Sequence, residues 1–478
     1  MLNKLFTPEQ LRINYTCKMN ITCHGAARVV TGSCHQVQLE KTNFLIDCGM
    51  FQGGKDLNRL NYEGFRFNPR DIDFVIVTHG HIDHCGMLPA LVKNGFQGEI
   101  YATPATVDLL PIMLGDAAFI QEKDTEHENR RRERMGQKPR EPLYTTEDAD
   151  RITPMLREIP YGESMKISEE VTIRFRDAGH IIGSAIVELF LMENKEETKV
   201  VFSGDLGQWD VPIIEDPSFI WNADYVFMET TYGDRIHEKR KPRKEMLFEQ
   251  IISTYKRGGK LLIPSFALER TQELLYLLSE MKTERADFPD INIYLDSPLA
   301  IKVTKVFRDH PELYDEEARS RSDKPFDFPG LICTTTAAES MKINASDDPA
   351  IVIAGSGMCT AGRIRHHLKH GLWDPKNTVL FVGYQAPGTL GRILLDGATE
   401  VRMMGLTLAV KAEIARIGSF SAHADKNDLI RWIEAFREKP KKVFLVHGEG
   451  KISDSFAELL RDKGFNAVVP RRGNNVMV

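Results

Sequence analysis

The stretch VTHGHIDHCG, which begins at residue 77, constrains the chain more than any other feature. It places three of the fourteen histidines and one aspartate within six positions, directly after a run of four apolar residues. His79 and His81 lie two residues apart, so in an extended segment their side chains point to the same side and can bind one ion. Asp83 and His84 follow at the turn into the next helix, where they can bind a second ion. A loop that is merely polar explains one or two of these residues but not four at this spacing, so the stretch predicts a metal site.

Further donors stand at three places where an apolar run, predicted as a strand, gives way to glycine. His180 lies in DAGHIIGSA, Asp205 in FSGDLG and His447 in FLVHGE. A lone histidine usually has a core or surface role, but three such coincidences beside the first motif favour a shared site. A binuclear site also needs a ligand that bridges the two ions. The sequence therefore predicts a metal centre built from donors far apart in the chain.

Length and charge indicate a folded protein of more than one domain. At 478 residues the chain exceeds what one hydrophobic core supports. A net charge of −6 gives no global attraction to polyanions, so binding to nucleic acid would require a local basic surface. Solvated faces are the ordinary interpretation of the basic clusters, which are Arg130–Arg132 with Arg134, Lys239–Lys244, Arg363 with Arg365, and Arg471–Arg472.

The compartment is predicted from the cysteines and from the absence of targeting patterns. Seven cysteines without a CxxC pair do not form a disulfide framework, which favours a reducing, cytoplasmic location. No signal peptide is expected, and the most apolar stretch is broken by Pro264, Glu269 and Arg270. A membrane role is therefore not expected.

The order of apolar runs predicts an α/β protein with an inserted domain. Short β-type runs between residues 21 and 46 open the chain, and strand–helix–strand alternation begins near residue 73. The charged segment 115–150 is predicted to be an exposed helix followed by a proline-rich loop, without a chemical role. A regular α/β pattern then fills the insertion. The predicted boundaries are 1–231 and 413–478 for the two parts of one domain and 232–412 for the insertion.

The order of the metal motifs resembles that of the metallo-β-lactamase superfamily. HxHxDH is followed by a distant histidine and by the aspartate of SGDLG, and Asp47 in FLIDCGM matches the first motif of that superfamily. The resemblance implies a four-layer αββα sandwich with two zinc ions bridged by a hydroxide, although manganese or iron would also suit such ligands. Asp47 is expected to accept a hydrogen bond from a ligand histidine, with a buried structural role as the alternative. By the same resemblance, His79, His81 and His180 would hold one ion, Asp83, His84 and His447 would hold the other, and Asp205 would bridge them.

The insertion resembles the β-CASP domain of nucleases related to the cleavage and polyadenylation specificity factors, and the likeness covers nearly the whole chain. Its landmarks are Glu229 in FMETTYG, His423 in GSFSAHAD and His447 in FLVHGE. His423, kept protonated by Glu229, resembles the general acid that protonates a leaving alkoxide. The alternative is that His423 caps the following helix and that Glu229 is a turn carboxylate. Histidine at position 447 resembles the RNA-acting members, so RNA is favoured over DNA.

Glycine-rich turns after strands of the insertion predict contacts with RNA phosphates. Small residues there let backbone N–H groups approach an anion, and arginines stand beside them. The alternative for each glycine-rich turn, taken singly, is that it is an ordinary turn without a bound phosphate. The predicted phosphate-binding residues are Ser265, Arg270, Ser356, Gly357 and Arg363.

Together these features predict a zinc-dependent ribonuclease that hydrolyses single-stranded RNA through a metal-bridging hydroxide. Two alternatives stay open: a small-molecule metallo-hydrolase of the lactonase or thioesterase type, and a non-catalytic RNA-binding scaffold subunit. The sequence does not distinguish endonuclease from 5′-to-3′ exonuclease action, and it leaves the oligomeric state open, a homodimer included. The expected catalytic residues are Asp83, Asp205, Glu229 and His423.

Overall fold

The computed structural model describes residues 19–237, 243–321, 324–418 and 421–477. Part of the predicted basic cluster Lys239–Lys244, residues 239–242, lies outside the described residues. Within them, the strands form two seven-stranded sheets, one six-stranded sheet and a two-stranded hairpin.

The helices and strands follow one another along three parts of the chain. The first part contains β1 (Asn20–Cys23), β2 (His35–Gln38), β3 (Asn43–Ile46), α1 (Lys55–Leu60), β4 (Phe74–Ile76), α2 (Ile82–Cys85), α3 (Leu88–Lys93), β5 (Glu99–Ala102), α4 (Pro104–Arg134), α5 (Thr146–Asp150), β6 (Leu156–Glu158), β7 (Ser164–Lys166), β8 (Val171–Asp177), β9 (Ala185–Glu193), β10 (Glu196–Phe202) and β11 (Tyr225–Glu229). The second contains α6 (Arg243–Lys256), β12 (Lys260–Pro264), α7 (Arg270–Glu284), β13 (Asn292–Leu295), α8 (Pro298–Asp309), α9 (Glu316–Ser320), β14 (Leu331–Cys333), α10 (Ala337–Ala345), β15 (Ala350–Ala354), α11 (Ile364–Gly371), β16 (Thr378–Phe381), α12 (Leu390–Leu395), β17 (Glu400–Met403), β18 (Leu406–Ala409) and β19 (Glu413–Arg416). The third contains α13 (Lys426–Glu434), β20 (Lys442–Val446), α14 (Gly450–Asp462), β21 (Ala467–Val468) and β22 (Asn475–Met477).

Strand alternation explains why the two large sheets pack face to face. Their strand orders are β22-β1-β2-β3-β4-β5-β6 and β21-β20-β11-β10-β9-β8-β7. In β8, Val171, Ile173 and Phe175 are buried, and polar residues alternate with them. These three side chains join Val37 and Phe44 of the first sheet in one apolar core between the sheets.

Helices cover the outer faces of both sheets. Leu91 of α3 and Leu110 of α4 pack against the first sheet. Trp432 of α13 and Leu460 of α14 pack against the second sheet. The resulting order of helix, sheet, sheet and helix confirms the predicted four-layer αββα sandwich.

The polar side chains of interest follow strands whose carboxyl ends share an edge of the sandwich. Asp47 follows β3 and His79 follows its parallel neighbour β4. Asp205 follows β10, Glu229 ends β11 and His447 follows β20, and these three strands are also parallel neighbours. Because the carboxyl ends of parallel strands meet at one edge, the topology brings residues distant in sequence together.

The insertion is built on a parallel sheet covered by helices on both faces. Its strand order is β14-β13-β15-β12-β16-β19. Leu278 of α7 and Phe307 of α8 pack on one face, and Leu368 of α11 and Leu394 of α12 pack on the other. The edge strand Glu413–Arg416 pairs with β16, so this sheet continues past the boundary predicted at residue 412. We propose that the insertion extends to that strand.

The charged segment 115–150 forms the second half of helix α4 and then a loop, as predicted, and it ends in the short helix α5. The helix runs from Pro104 to Arg134, with buried apolar residues in its first half and exposed charges in its second. No helix of the described residues is both long and apolar enough to cross a membrane.

The insertion docks on the sandwich through an apolar contact. Leu109 of α4 and Ile182 share a hydrophobic cluster with Leu268 of the insertion. Beside it, Nε2 of His310 lies 2.8 Å from Oδ2 of Asp108. The insertion therefore contacts the sandwich through both apolar and polar side chains on this side.

Candidate metal centre

The loop after β4 brings three histidine rings together. His79 and His180 are fully buried, and both face His81, the residue before α2. Nε2 of His79 lies 3.1 Å from Nδ1 of His81, and Nε2 of His180 lies 3.2 Å from the same atom. Ring nitrogens this close need a proton or a cation between them.

A second group of donors lies at the start of α2. Nε2 of His84 is 3.3 Å from Nε2 of His447, and Nε2 of His447 is 3.5 Å from Oδ2 of Asp83. His84 and His447 are buried and Asp83 is partly buried. One ligand atom from each of the three lies within 4.8 Å of the others, and the same holds for His79, His81, His180 and Asp205.

Asp205 contacts donors of both groups. Its Oδ2 lies 3.3 Å from Nε2 of His84, 3.6 Å from Nε2 of His79 and 3.7 Å from Nε2 of His180. Its Oδ1 lies 3.3 Å from Nδ1 of His447 and, although buried, makes no hydrogen bond. A buried carboxylate oxygen without a hydrogen bond is costly unless a cation satisfies it, so this atom fits a metal ligand.

The protonation of the first donor group and of Asp205 also fits metal binding. Burial lowers the pKa of His79 and His180 well below the usual range and lowers that of His81 to about 4, so the three rings are neutral at pH 7. Burial alone would raise the pKa of Asp205, but neighbouring imidazoles, His447 first, outweigh it and hold the pKa well below the usual range. Neutral imidazoles and an ionised carboxylate are the forms that bind metal ions.

Buried hydroxyl and carboxylate groups form hydrogen-bonding contacts with the predicted ligand histidines. Oδ2 of Asp47 lies 2.7 Å from Nδ1 of His84, the kind of contact predicted for it, and also accepts a hydrogen bond from Oγ of Ser33. Thr78 donates its backbone N–H to Asp47, and its Oγ1 lies 3.0 Å from Nδ1 of His79. The sequence reasoning missed Thr78, although a hydroxyl residue directly before the histidine motif was the available signal.

Glu229 and His423 form the third polar group at this edge. Oε1 of Glu229 accepts a hydrogen bond from the N–H of Leu206 and lies 3.2 Å from Nδ1 of His423. Nδ1 of His423 is also 3.9 Å from Oδ2 of Asp205. Burial alone would lower the pKa of His423, but the carboxylates of Glu229 and Asp205 outweigh it and raise the pKa to about 9. The ring is therefore cationic at neutral pH.

The helix after His423 is capped by a different residue. The side chain of Asp425 accepts hydrogen bonds from the N–H groups of Asn427 and Asp428 and so forms the N-cap of α13. The alternative that His423 caps this helix therefore finds no support.

Two aromatic side chains that the sequence reasoning missed surround His423. Nε2 of His237 lies 3.1 Å from the carbonyl oxygen of His423. The ring of Tyr232 meets the rings of His423 and His237 edge-on, at centroid distances of 5.9 and 5.1 Å. The segment TYGDRIH, which begins two residues after Glu229, was the available signal.

Three of the predicted phosphate-binding residues turn inward instead. Arg363 donates to Oδ1 of Asp296 and to backbone carbonyls. Arg270 is 7% exposed and pairs with Glu273, and Ser265 is 1% exposed. The structure does not support phosphate contacts for Arg363, Arg270 and Ser265, because their polar groups are engaged inside the insertion.

The other two predicted phosphate-binding residues lie at the carboxyl edge of the insertion's sheet. Oγ of Ser356 is partly exposed and accepts hydrogen bonds from the N–H groups of Thr360 and Ala361. Gly357 is buried against the ring of Phe266. Ser356 and Gly357 therefore determine the conformation of the loop at the carboxyl edge of the insertion's sheet.

Comparison with known families finds three matches along the chain. Residues 27–248 match the metallo-beta-lactamase superfamily, residues 271–394 match the Beta-Casp domain, and residues 407–470 match the Zn-dependent metallo-hydrolase RNA specificity domain. The third match covers the part of the chain that carries His423 and His447.

Several characterised proteins are similar over most of the chain. Ribonuclease TTHA0252 of Thermus thermophilus is 37% identical over 96% of this chain and 100% of its own length. Transcription termination factor FttA of Methanocaldococcus jannaschii is 32% identical over 91% of this chain and 68% of its own length. An RNase J-like protein of the same organism is 31% identical over 91% of this chain and 93% of its own length.

A solved structure supports the fold. The crystal structure of a protein of unknown function from Enterococcus faecalis V583 superposes with a TM-score of 0.56 and covers 96% of this chain and 100% of its own. Its sequence identity of 12% limits the likeness to the fold.

Proposed function

This chain belongs to the metallo-β-lactamase superfamily, in the group with a β-CASP domain, and from that membership we propose that it hydrolyses phosphodiester bonds of single-stranded RNA. The observation that carries the proposal is the convergence of two donor groups on Asp205, beside a cationic His423. A relative that this chain matches from end to end is named a ribonuclease, which supports RNA as the substrate.

The donors fit a pair of divalent cations. Zinc is the natural ion for imidazole and carboxylate ligands, and manganese or iron also suits them. Bound there, such cations lower the pKa of water and stabilise negative charge on phosphoryl oxygens, which is the chemistry of phosphodiester hydrolysis. His79, His81 and His180 would hold one ion, Asp83, His84 and His447 the other, and Asp205 both.

His423 would supply the proton that the leaving oxygen needs. Its Nδ1 faces the carboxylates of Glu229 and Asp205, so Nε2 is the other N–H donor of the ring. In-line attack on phosphorus expels an alkoxide, which takes the Nε2 proton as the P–O bond breaks. The ring then regains a proton from solvent, which the two carboxylates favour.

The two alternatives fit the observations less well. A small ester does not require a domain-sized insertion beside the metal centre. A non-catalytic scaffold does not require the predicted donors to converge, yet they do so in two groups. A cytoplasmic location remains our proposal from the cysteine content.

Digestion of end-labelled single-stranded RNA tests the proposal. With zinc or manganese, the wild-type protein should release internal fragments if it acts as an endonuclease, or mononucleotides from one end if it acts as an exonuclease. His423→Ala should lose this activity, and His127→Ala, which removes an exposed histidine of α4, should keep it. Turnover of a thioester or lactone without RNA cleavage would overturn the proposal.

A further inference from the structure

Two aromatic side chains lie exposed at the carboxyl edge of the insertion's parallel sheet. Phe266 follows β12 and is 43% exposed, and Tyr384 follows β16 and is 55% exposed. Since β12 lies between β15 and β16, the Phe266 loop lies between the Gly357 loop and the Tyr384 loop. Exposed apolar rings at the edge where a parallel sheet binds its ligands point to a binding role.

Glycines make room for the Phe266 ring. A Cβ at Gly357 would lie 2.7 Å from Cδ2 of Phe266, which is closer than side chains allow. A Cβ at Gly383 would lie 3.7 Å from Cε2 of the same ring. The ring therefore packs against bare backbone at Gly357, and any other residue there would displace it.

Hydrogen bonds brace the Phe266 loop and join the Gly357 loop to the Tyr384 loop. The carbonyl oxygen of Phe266 accepts hydrogen bonds from Oγ1 of Thr271 at 2.6 Å and from Oγ of Ser265 at 3.2 Å. Nε2 of the buried Gln385 donates to the carbonyl oxygens of Gly357 and Gly383 at 2.9 and 3.3 Å. The exposed rings thus stand on a preorganised frame, which reduces the entropy lost when a ligand binds.

This edge adjoins the metal centre. Three residues after Phe266, Oε2 of Glu269 accepts a hydrogen bond from the N–H of Ile182, in the loop that carries His180. The backbone N–H of Ser265, directly before Phe266, is held by the β15 strand end. The frame of the aromatic rings is therefore joined directly to a loop that supplies a predicted metal ligand.

We propose that Phe266 and Tyr384 form a base-stacking platform that holds unpaired nucleotides beside the scissile phosphate. This proposal rests on the proposed ribonuclease function and states how the site binds its substrate. Unpaired bases present flat faces to aromatic rings regardless of sequence, whereas a duplex buries those faces. Since Arg270 and Arg363 are engaged inside the insertion, stacking replaces the charge contacts that these arginines would have supplied.

Steady-state kinetics on single-stranded RNA test the platform. Phe266→Ala and Tyr384→Ala should each raise KM on the order of 10- to 100-fold, the range expected for loss of one stacked base, with a smaller change in kcat. Phe266→Trp should retain the wild-type KM. Phe119→Ala, which removes a phenylalanine that is 53% exposed on α4, is the matched control and should change neither constant.

Abasic substrates show whether the rings touch bases. A single abasic residue walked across the cleavage site should raise the KM of the wild-type protein at one or two positions. At those positions, Phe266→Ala or Tyr384→Ala should add no further loss, because the stacking partner is already absent. The proposal would be overturned if the alanine substitution and the abasic residue multiplied each other's effects on KM at every position. It would also be overturned if no abasic position raised the KM of the wild-type protein.

The platform and the proposed function fail in different ways. If the wild-type protein cleaves no RNA, the ribonuclease proposal fails. If it cleaves RNA and the alanine variants keep the wild-type KM, the platform alone fails. Should Phe266→Ala not fold, the wild-type abasic walk and Phe266→Trp still decide the question.

Discussion

Asp205 is the residue on which the metal centre depends, because it contacts histidines of both donor groups. Asp205→Asn keeps the shape of the side chain and removes its charge. We expect this variant to bind fewer metal ions per chain than the wild type and to lose RNA cleavage. Metal analysis of dialysed protein, together with RNA digestion, measures both effects.

Asp454→Asn, which changes an exposed carboxylate paired with Arg28, should keep both metal and activity. Full metal content in Asp205→Asn would contradict the assignment of Asp205 as a bridging ligand.

The acid role of His423 predicts a leaving-group effect. His423→Ala should slow cleavage of ordinary RNA by about 10²- to 10⁴-fold, the usual contribution of general acid catalysis. It should slow cleavage far less when sulfur replaces the leaving oxygen, because a thiolate leaves without protonation. Single-turnover rates on the two substrates give the comparison.

Glu229→Gln provides the companion measurement. The amide keeps a hydrogen-bond acceptor near Leu206 but removes the charge that keeps His423 cationic. The variant should show the same preference for the sulfur leaving group, to a smaller degree. An equal loss on both substrates would assign Glu229 and His423 a structural role instead.

Individual residues differ in how far the sequence could predict them. The donors from His79 to His447 were predictable because histidines and aspartates at strand ends are uncommon and have few other uses. The signals at Thr78 and Tyr232 were weaker, because such residues are common and acquire a role only through tertiary contacts. Arg363 is predicted to contact RNA phosphates, yet its guanidinium group donates to Asp296, since a sequence does not show which way a charged side chain points.

At the scale of secondary structure, the strand that gives way to a polar turn was the most informative pattern. It located the edge of the sandwich because parallel strands deliver their carboxyl ends to one place. The same pattern did not show which sheet a strand joins. The strand Glu413–Arg416 lies beyond the boundary predicted at residue 412, yet it pairs with β16, a partner adjacent in space and remote in sequence.

The N-cap of α13 links stability to the position of His423. Asp425 accepts hydrogen bonds from two N–H groups of the helix and from the N–H of His237, which in turn contacts the carbonyl of His423. Asp425→Ala should cost about 1 kcal/mol of stability and also lower kcat. Calorimetry and RNA kinetics measure the two effects.

Asp315→Ala is the matched control for the capping effect. Asp315 caps α9 in the insertion and lies outside the metal centre. Its loss should lower the unfolding temperature to a similar degree and leave kcat unchanged. If Asp425→Ala also leaves kcat unchanged, the cap does not position His423.

The outer face of the second sheet predicts a pH-dependent stability. Glu188 is buried, and Nε of Arg174, Nε of Arg176 and Nζ of Lys199 lie 2.7, 3.1 and 2.6 Å from its carboxylate. Burial alone would raise its pKa, but Arg174 and Lys199 outweigh it and lower the pKa to about 2. The carboxylate therefore stabilises the fold above its unfolded pKa of about 4.5, and this stabilisation is lost as the pH falls towards 2.

Glu188→Gln should reveal that contribution. After allowance for solvent screening of the partly exposed guanidinium groups, we expect a loss of about 2 kcal/mol at pH 7. The difference from wild type in the midpoint of urea unfolding should narrow between pH 5 and pH 3. Glu197→Gln, at an exposed position of β10, should show little difference at any pH. A constant difference for Glu188→Gln across this range would rule out the charge as its cause.

For the whole molecule, the metal centre joins parts of the chain that no single element connects. Asp83 and His84 follow a strand of the first sheet, whereas Asp205 and His447 follow strands of the second. Ions held by both groups would therefore tie the two sheets of the sandwich together at one edge. The insertion is docked beside that edge through Leu268 and Glu269, so its position depends on the same loops.

Metal removal should consequently lower the stability of the whole protein. A ligand that binds only the folded state stabilises it by about 2.7 kcal/mol when its free concentration is 100 times its dissociation constant. Dialysis against a chelator should lower the unfolding temperature, and added zinc should restore it in a concentration-dependent way. Asp205→Asn should respond much less to zinc, while Asp454→Asn should respond like the wild type. The reason is that Asp205, unlike Asp454, reaches both donor groups. An unfolding temperature that is indifferent to the chelator in the wild type would show that the donors meet without holding an ion.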